Sequence, residues 1–207
     1  MKNNKSFDEI ARIAGILLLI TALTAALLAV INSFTAPVIE ANAKAAKQEA
    51  ILELFPQATE TRAASETDPD GFSATVDRVK ASSTDLKKVK FNEVYEVLAG
   101  GSTLGFVADV ASMGFEDYIS MMVGVTPDGR VTGIRILEIS DTPGIGQKVK
   151  EESYLSSYTG AAYPVVFGDN ADAISGATYS SRGVRNGVNA ALAYLTLKDG
   201  PKTEGWQ

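Results

Sequence analysis

Histidine and cysteine are both missing from this 207-residue chain. The two absences remove much of the chemistry a protein can perform near neutral pH. No Ser-His-Asp triad, thiol nucleophile, thiolate-held iron–sulfur cluster or Cys/His zinc site can be built, and no metal site is expected. Disulfides and acylation at cysteine are excluded too, so cysteine usage says nothing of the redox compartment. Demanding chemistry must then come from a cofactor, or from carboxylates and lysines. A basic surface is also lacking. Asp and Glu number 25 against 19 Lys and Arg, a net charge of −6, which argues against nucleic acid as a partner.

The chain does possess a long uncharged run. Ile13 to Ile39 carries no charged residue, and its first part, I-A-G-I-L-L-L-I-T-A-L-T-A-A-L-L-A-V-I, is almost wholly apolar. About 20 helical residues cross the hydrocarbon core of a bilayer, so the run is long enough to span it. Ala41-Asn42-Ala43 resembles a signal-peptidase site, but the apolar region of a cleaved signal runs only about 7–15 residues, which favours a retained anchor. Lys2, Lys5 and Arg12 precede the run and the next positive charge is Lys44. The positive-inside rule then puts the N-terminus in the cytoplasm and the rest of the chain outside it.

Beyond the span, Ala41 to Phe55 reads as a helix that docks its last turn through Ile51, Leu52, Leu54 and Phe55, and Pro56 stops it. Residues 57–75 are polar and turn-rich and read as a loop. Two hairpins follow. F-N-E-V-Y-E-V-L-A and L-G-F-V-A-D-V-A-S flank Gly100-Gly101-Ser102; I-S-M-M-V-G-V and V-T-G-I-R-I-L-E-I flank Pro127-Asp128-Gly129. Val184, Val188, Ala191, Leu192 and Leu195 then recur at helical spacing between Ser181 and Lys198. The fold class is α+β, a twisted antiparallel sheet with packed helices behind an N-terminal transmembrane helix.

Just before that last helix stands D-A-I-S-G-A-T-Y-S-S-R, residues 172–182. Small and hydroxyl residues at a helix start put free N–H groups and the positive end of the helix dipole beside several hydroxyls, a seat suited to phosphate. Arg182 and Arg185 could add charge-assisted contacts. The same residues also suit a plain cap at Ser180 and Ser181 and a plain turn at Gly176, and position alone leaves both readings open.

Asp172-Ala173-Ile174-Ser175-Gly176-Ala177-Thr178 resembles the D-x-x-[ST]-G-A-T motif at which a flavin transferase joins FMN through its phosphate to a threonine. Ser140-Asp141-Thr142-Pro143-Gly144-Ile145-Gly146 resembles the E-T-P-G-[LI]-G loop of the same family, with Asp where Glu is usual. Behind a single N-terminal span, the pair is similar to the G subunits of Rnf electron-transport complexes, and more distantly to the C subunits of sodium-pumping NADH:quinone reductases. The resemblance implies FMN bound covalently to Thr178, with Ser175, Gly176 and Ala177 forming the turn that presents it. Asp172 serves the transferase or acts as a turn carboxylate. The resemblance also places Thr142, Pro143, Gly144 and Gly146 near the flavin ring or its ribityl chain, where glycine lets backbone approach a flat ring; an ordinary turn is the other reading. Lys148 and Lys150 face either phosphate or solvent, and Gly183 and Gly187 allow the helix to pack closely on the sheet.

The implied function is electron relay, with no catalytic residue of the chain's own. The subunit would serve a membrane complex that couples ferredoxin:NAD electron transfer to pumping of sodium ions or protons. Its expected partners are the other Rnf subunits, the transferase during maturation and membrane lipid. The expected organisation is a cytoplasmic leader (1–12), an anchor (13–35), a juxtamembrane helix (36–56), a polar loop-rich segment (57–90), an extracytoplasmic FMN-binding domain (91–200) and a tail (201–207). A stand-alone anchored flavin carrier, or a non-redox binding module whose S-G-A-T only caps a helix, would share much of this pattern.

Overall fold

The structure is a computed structural model that describes residues 3–198. The expected tail, 201–207, and Lys2 of the leader lie outside the described residues. The chain divides into two compact units, meeting between Ala46 and Lys47.

The first unit is helical. It is part of α1 (Asn3–Leu54), which has Pro37 inside it and covers the expected anchor (13–35) and all but the last two residues of the expected juxtamembrane helix (36–56); the residues of α1 from Lys47 on belong to the second unit. Leu17, Leu23, Leu28 and Phe34 are all more than half exposed, as suits a surface whose solvent is lipid. The hydroxyls in this stretch turn back onto the helix: Thr21 Oγ1 donates to Leu17 O at 3.0 Å, Thr24 Oγ1 to Ile20 O at 2.8 Å and Thr35 Oγ1 to Ile31 O at 3.1 Å. Polar groups satisfied within one helix can reside where water is absent.

The second unit is built on a five-stranded antiparallel meander in the order β1-β2-β3-β4-β5. Its strands are β1 (Glu60–Ala63), β2 (Lys90–Ala99), β3 (Ser102–Met113), β4 (Tyr118–Val125) and β5 (Val131–Glu138). Gly100 and Gly101, at φ +57° and +83°, close the β2–β3 hairpin, the pair of positive φ values a two-residue type I′ turn demands. In the β4–β5 turn Gly129 sits at φ +80° and donates its N–H to Thr126 O at 2.9 Å.

Residues 57–90 depart from the expected loop. They hold β1, a helical turn α2 (Ala64–Thr67) and a helix α3 (Pro69–Ser82). Asp68 caps α3 by accepting from Gly71 N at 3.0 Å, Pro69 begins it, and Thr75, Val76 and Val79 are buried. The polar and turn-forming residues that suggested a loop are the cap and first turn of a helix whose apolar stripe is narrow.

One face of the sheet, through Val110, Ile119, Met121 and Val123, packs on Val184, Val188 and Leu192 of the last helix, α5 (Thr178–Lys198). Close approach requires glycine there. A Cβ on Gly183 would stand 2.8 Å from Met113 O, and one on Gly187 would stand 2.6 Å from Met121 Sδ. The opposite face, through Val97, Val107 and Met122, takes Ala50, Ile51 and Phe55, while Leu52 remains exposed. Burying Ile51 and Phe55 contributes about 1.5–3 kcal/mol each. Beside them the buried Asp109 pairs with Lys47 Nζ at 2.7 Å and accepts from Asn92 Nδ2 at 2.9 Å.

Candidate functional site

Three chain segments meet at the N-terminus of α5. The first is residues 172–178. Ala177 N donates to Ile174 O at 2.9 Å, closing a β-turn in which Gly176 takes φ +82°, a conformation open to glycine at little cost. The helix begins at Thr178, three residues earlier than the apolar spacing indicated. Its first intrahelical bond is Ser181 N to Ala177 O at 2.9 Å. The N–H groups of Thr178, Tyr179 and Ser180 therefore belong to the unpaired first turn, where the dipole favours an anion. Thr178 is exposed, so its hydroxyl is open to a reaction partner. Ser180 and Ser181 are buried and do more than cap: Ser181 Oγ accepts from Ile174 N at 3.0 Å, holding the attachment turn down on the helix.

The second segment is the loop from Asp141 to Gly146, and the third is the turn between β3 and β4 at Gly114–Asp117. Asp141, 1% exposed, ties all three together. Its carboxylate accepts from Ser180 Oγ at 2.6 Å, from Glu116 N at 2.9 Å and from Phe115 N at 3.1 Å, while its carbonyl accepts from Gln147 Nε2 at 3.1 Å. Burial pushes this carboxyl up, but the Ser180 hydroxyl and the N–H groups of Glu116, Phe115 and Asp117 outweigh it and hold the group below the ordinary carboxylate range. Thr142 Oγ1 adds a bond to Glu116 Oε1 at 2.8 Å.

The two glycines of the loop differ. Gly144 has φ +76° and open space where a Cβ would stand, so its role is conformational, whereas Gly146 is crowded by protein. A Cβ at Gly146 would lie 2.7 Å from Asp141 Cβ and 2.9 Å from Ser180 Oγ.

The segments enclose an open cleft of about 390 Å³ lined by Phe115, Thr142, Ile145, Gly146, Gly176, Ala177, Thr178, Tyr179 and Ser180. Asp172, Ser175, Pro143 and Gly144 lie outside that lining, and Asp172, Pro143 and Gly144 are exposed, with Ser175 lying in the exposed turn that leads to Gly176. Phe115, Ile145 and Tyr179 are 61%, 52% and 60% exposed, and the two ring centroids lie 5.9 Å apart with the rings tilted by 53°. Exposed apolar side chains gathered beside a helix N-terminus suit a ligand with a flat apolar ring and a phosphate. FMN has both parts, and the cleft lies within the size range of cofactor sites. Arg182 stands 5.8 Å over the Tyr179 ring, whereas Arg185 is engaged by Asp85 at 3.0 Å and by Asn186, away from the cleft. Lys148 and Lys150 are both exposed, and neither lines the cleft.

Sequence reasoning missed Phe115, Tyr179 and the clamp made by Asp141 and Ser180. Phe115 left one signal, a large apolar residue in the tight turn S-M-G-F-E-D between two strands.

Comparison with known proteins bears on the same region. The FMN-binding domain family matches residues 114–193, which include every segment of the cleft, and the RnfG N-terminal region matches residues 1–54. The G subunit of the proton-translocating ferredoxin:NAD(+) oxidoreductase complex of Clostridium ljungdahlii is 32% identical, over 55% of this chain and 68% of that protein. The G subunit of the ion-translocating oxidoreductase complex of Methanosarcina acetivorans is 27% identical over 93% of this chain and 97% of that protein. For the G subunit of the Na(+)-translocating ferredoxin:NAD(+) oxidoreductase complex of Acetobacterium woodii the identity is 27%, over 86% and 87%. Among solved structures, NqrC of Shewanella oneidensis aligns with 25% identity and a TM-score of 0.44, over 52% of this chain and 60% of that one. By its relation to the Clostridium protein and the span of both matches, the chain belongs to the family of G subunits of Rnf-type ion-translocating oxidoreductase complexes.

Proposed function

We propose that this chain relays electrons as the membrane-anchored flavoprotein subunit of an ion-translocating ferredoxin:NAD oxidoreductase, and that Thr178 carries its FMN as a phosphoester. Membrane localisation follows from the long apolar helix near the N-terminus and from membership of a membrane complex. The other subunits of that complex are its partners. The observation that carries the attachment reading is the exposed Thr178 hydroxyl at the first turn of α5, opening on a cleft rimmed by Phe115, Ile145 and Tyr179.

Attachment needs an activated donor, a phosphoanhydride of FMN held by a flavin transferase. The Thr178 Oγ–P bond forms, the P–O bond to the leaving phosphate breaks, and the hydroxyl proton passes to a base or to solvent. The N–H groups of Thr178, Tyr179 and Ser180 are oriented to steady the phosphate, and Gly176 allows the turn to expose the hydroxyl. Asp172, exposed and outside the cleft, is placed for recognition by the transferase. Bound FMN supplies reversible one- and two-electron exchange. The chain's own part is to hold the ring beside Phe115 and Tyr179 and to keep its seat rigid through Asp141. Its role is relay, and turnover of substrate belongs to the assembled complex. The positive charges before the span, Lys2, Lys5 and Arg12, favour a cytoplasmic N-terminus and an extracytoplasmic flavin domain. There a covalent bond prevents loss of a cofactor that the cytoplasmic pool could not replace.

Co-expression with a flavin transferase followed by a denaturing gel tests the attachment. A flavin-fluorescent band is expected from the parent chain and none from Thr178→Val. A band that survives in Thr178→Val would place the flavin elsewhere.

A further inference from the structure

A second cleft, larger than the one at the flavin site, lies elsewhere on the second unit. It measures about 490 Å³ and runs along β5, whose residues Thr132 to Leu137 all line it. β5 is the last strand of the meander and pairs only with β4. An edge strand turns alternate N–H and C=O groups outward, and proteins normally cover, shorten or blunt such an edge. Here the cover stops after one residue. Val131 exchanges bonds with the following loop, accepting from Gly160 N at 2.8 Å and donating to Ala161 O at 3.0 Å. From Thr132 to Glu138, among the described residues, the outward backbone has no such partner.

The open edge lies in a trough. One wall is the short helix α4 (Glu152–Leu155) with the turn that follows it, contributing Leu155, Ser156 and Thr159; the other is Glu53 and Leu54 at the end of α1. Leu54 reaches to 3.0 Å of where a Cβ on Gly133 would stand, so that wall rises directly from the strand. Glu53 meets Arg135 of β5 at 3.3 Å across the rim, an exposed and easily exchanged pair. A trough floored by free backbone groups and walled on both sides selects a single extended polypeptide, which needs only the roughly 4.8 Å spacing of a neighbouring strand. A second copy of the domain would have to bring its own walls against these and could not reach the edge.

We propose that an extended segment of another subunit of the complex docks here as a sixth strand beside β5. The inference rests on the chain's place in a multi-subunit complex but not on the flavin. It gives the fold two separate interfaces, the cleft for electron exchange and the β5 trough for assembly.

The test uses the full-length chain, isolated and in the purified complex. Amide hydrogen exchange at 133–138 should slow at least tenfold in the complex; equal rates in both samples would overturn the proposal. A photoreactive phenylalanine analogue placed at Ser156 should crosslink to a different subunit, and an adduct between two copies of this chain would equally overturn it. Ser156→Trp, which fills the trough from an exposed wall position, should reduce recovery of the subunit with the complex while flavin loading at Thr178 stays at the parent level. Parent-level recovery of that variant, folded, would count against the proposal. Flavin fluorescence in the same samples reports on the attachment reading separately, so either idea can fail alone.

Discussion

Replacing Asp141 by alanine removes the acceptor that holds three segments of the flavin cleft together. The Ser180 hydroxyl, at 2.6 Å, and the N–H groups of Glu116 and Phe115, at 2.9 and 3.1 Å, all lose their partner. Hydrogen bonds to a charged group contribute about 1.5–3 kcal/mol each, and a buried donor left alone costs about 1–3 kcal/mol. Phe115 and Glu116 lie at the surface, so water replaces part of what their N–H groups lose. The net loss is then about 3–5 kcal/mol, a fall in melting temperature of about 10 °C for a domain of this size. Thermal unfolding of the detergent-solubilised full chain measures it. The pH dependence has a definite sign. A carboxyl held below its unfolded value contributes stability above that value, near 3.9, and loses it as pH falls through the folded value. The gap between the parent chain and Asp141→Asn should therefore close on acidification below about pH 4. A loss under about 1 kcal/mol for Asp141→Ala, or a gap for Asp141→Asn that persists unchanged to low pH, would refute the clamp.

The two loop glycines should respond differently to alanine. Gly144→Ala strains a left-handed backbone with free space around it, costing about 1–2 kcal/mol, whereas Gly146→Ala drives a methyl into Asp141 and Ser180, costing about 1–3 kcal/mol and lowering flavin incorporation as well. Urea titration and flavin content separate the two. Tyr179→Ala should keep its covalent flavin but shift the reduction potential by tens of millivolts, about 30 mV being 1.4 kcal/mol for a two-electron couple; spectroelectrochemical titration reads it. External protease added to spheroplasts or protoplasts should digest the domain beyond Glu40, and complete protection would reverse the orientation. N-terminal sequencing of the membrane-extracted chain should find the anchor intact, not a terminus at Lys44.

Both hairpins are legible in the sequence because Gly100-Gly101 and Pro127-Asp128-Gly129 are local instructions, each setting the φ values of its own turn. α5 is legible from its apolar spacing, although that spacing marks a start at Ser181 and not at Thr178, because no apolar residue of the stripe falls in the first turn. α3 is hidden since Asp68-Pro69-Asp70-Gly71 looks like a turn until the cap from Asp68 to Gly71 is seen. Thr178 stands out through its motif. The clamp cannot, because Asp141 reaches Ser180 across 39 positions and Phe115 across 26, and neither separation leaves a local pattern. Gly144 and Gly146 read alike in sequence and differ only in what surrounds them.

The claim at the centre of this account is that one hydroxyl, on Thr178, bears the cofactor. Peptide mass spectrometry of the full-length chain, made with a flavin transferase and digested, tests it most directly. The account predicts that the peptide containing Thr178 carries the mass of FMN less one water, with fragment ions placing the addition on Thr178 and not on Ser175, Ser180 or Ser181. An unmodified peptide, or the same addition on another residue, would contradict it.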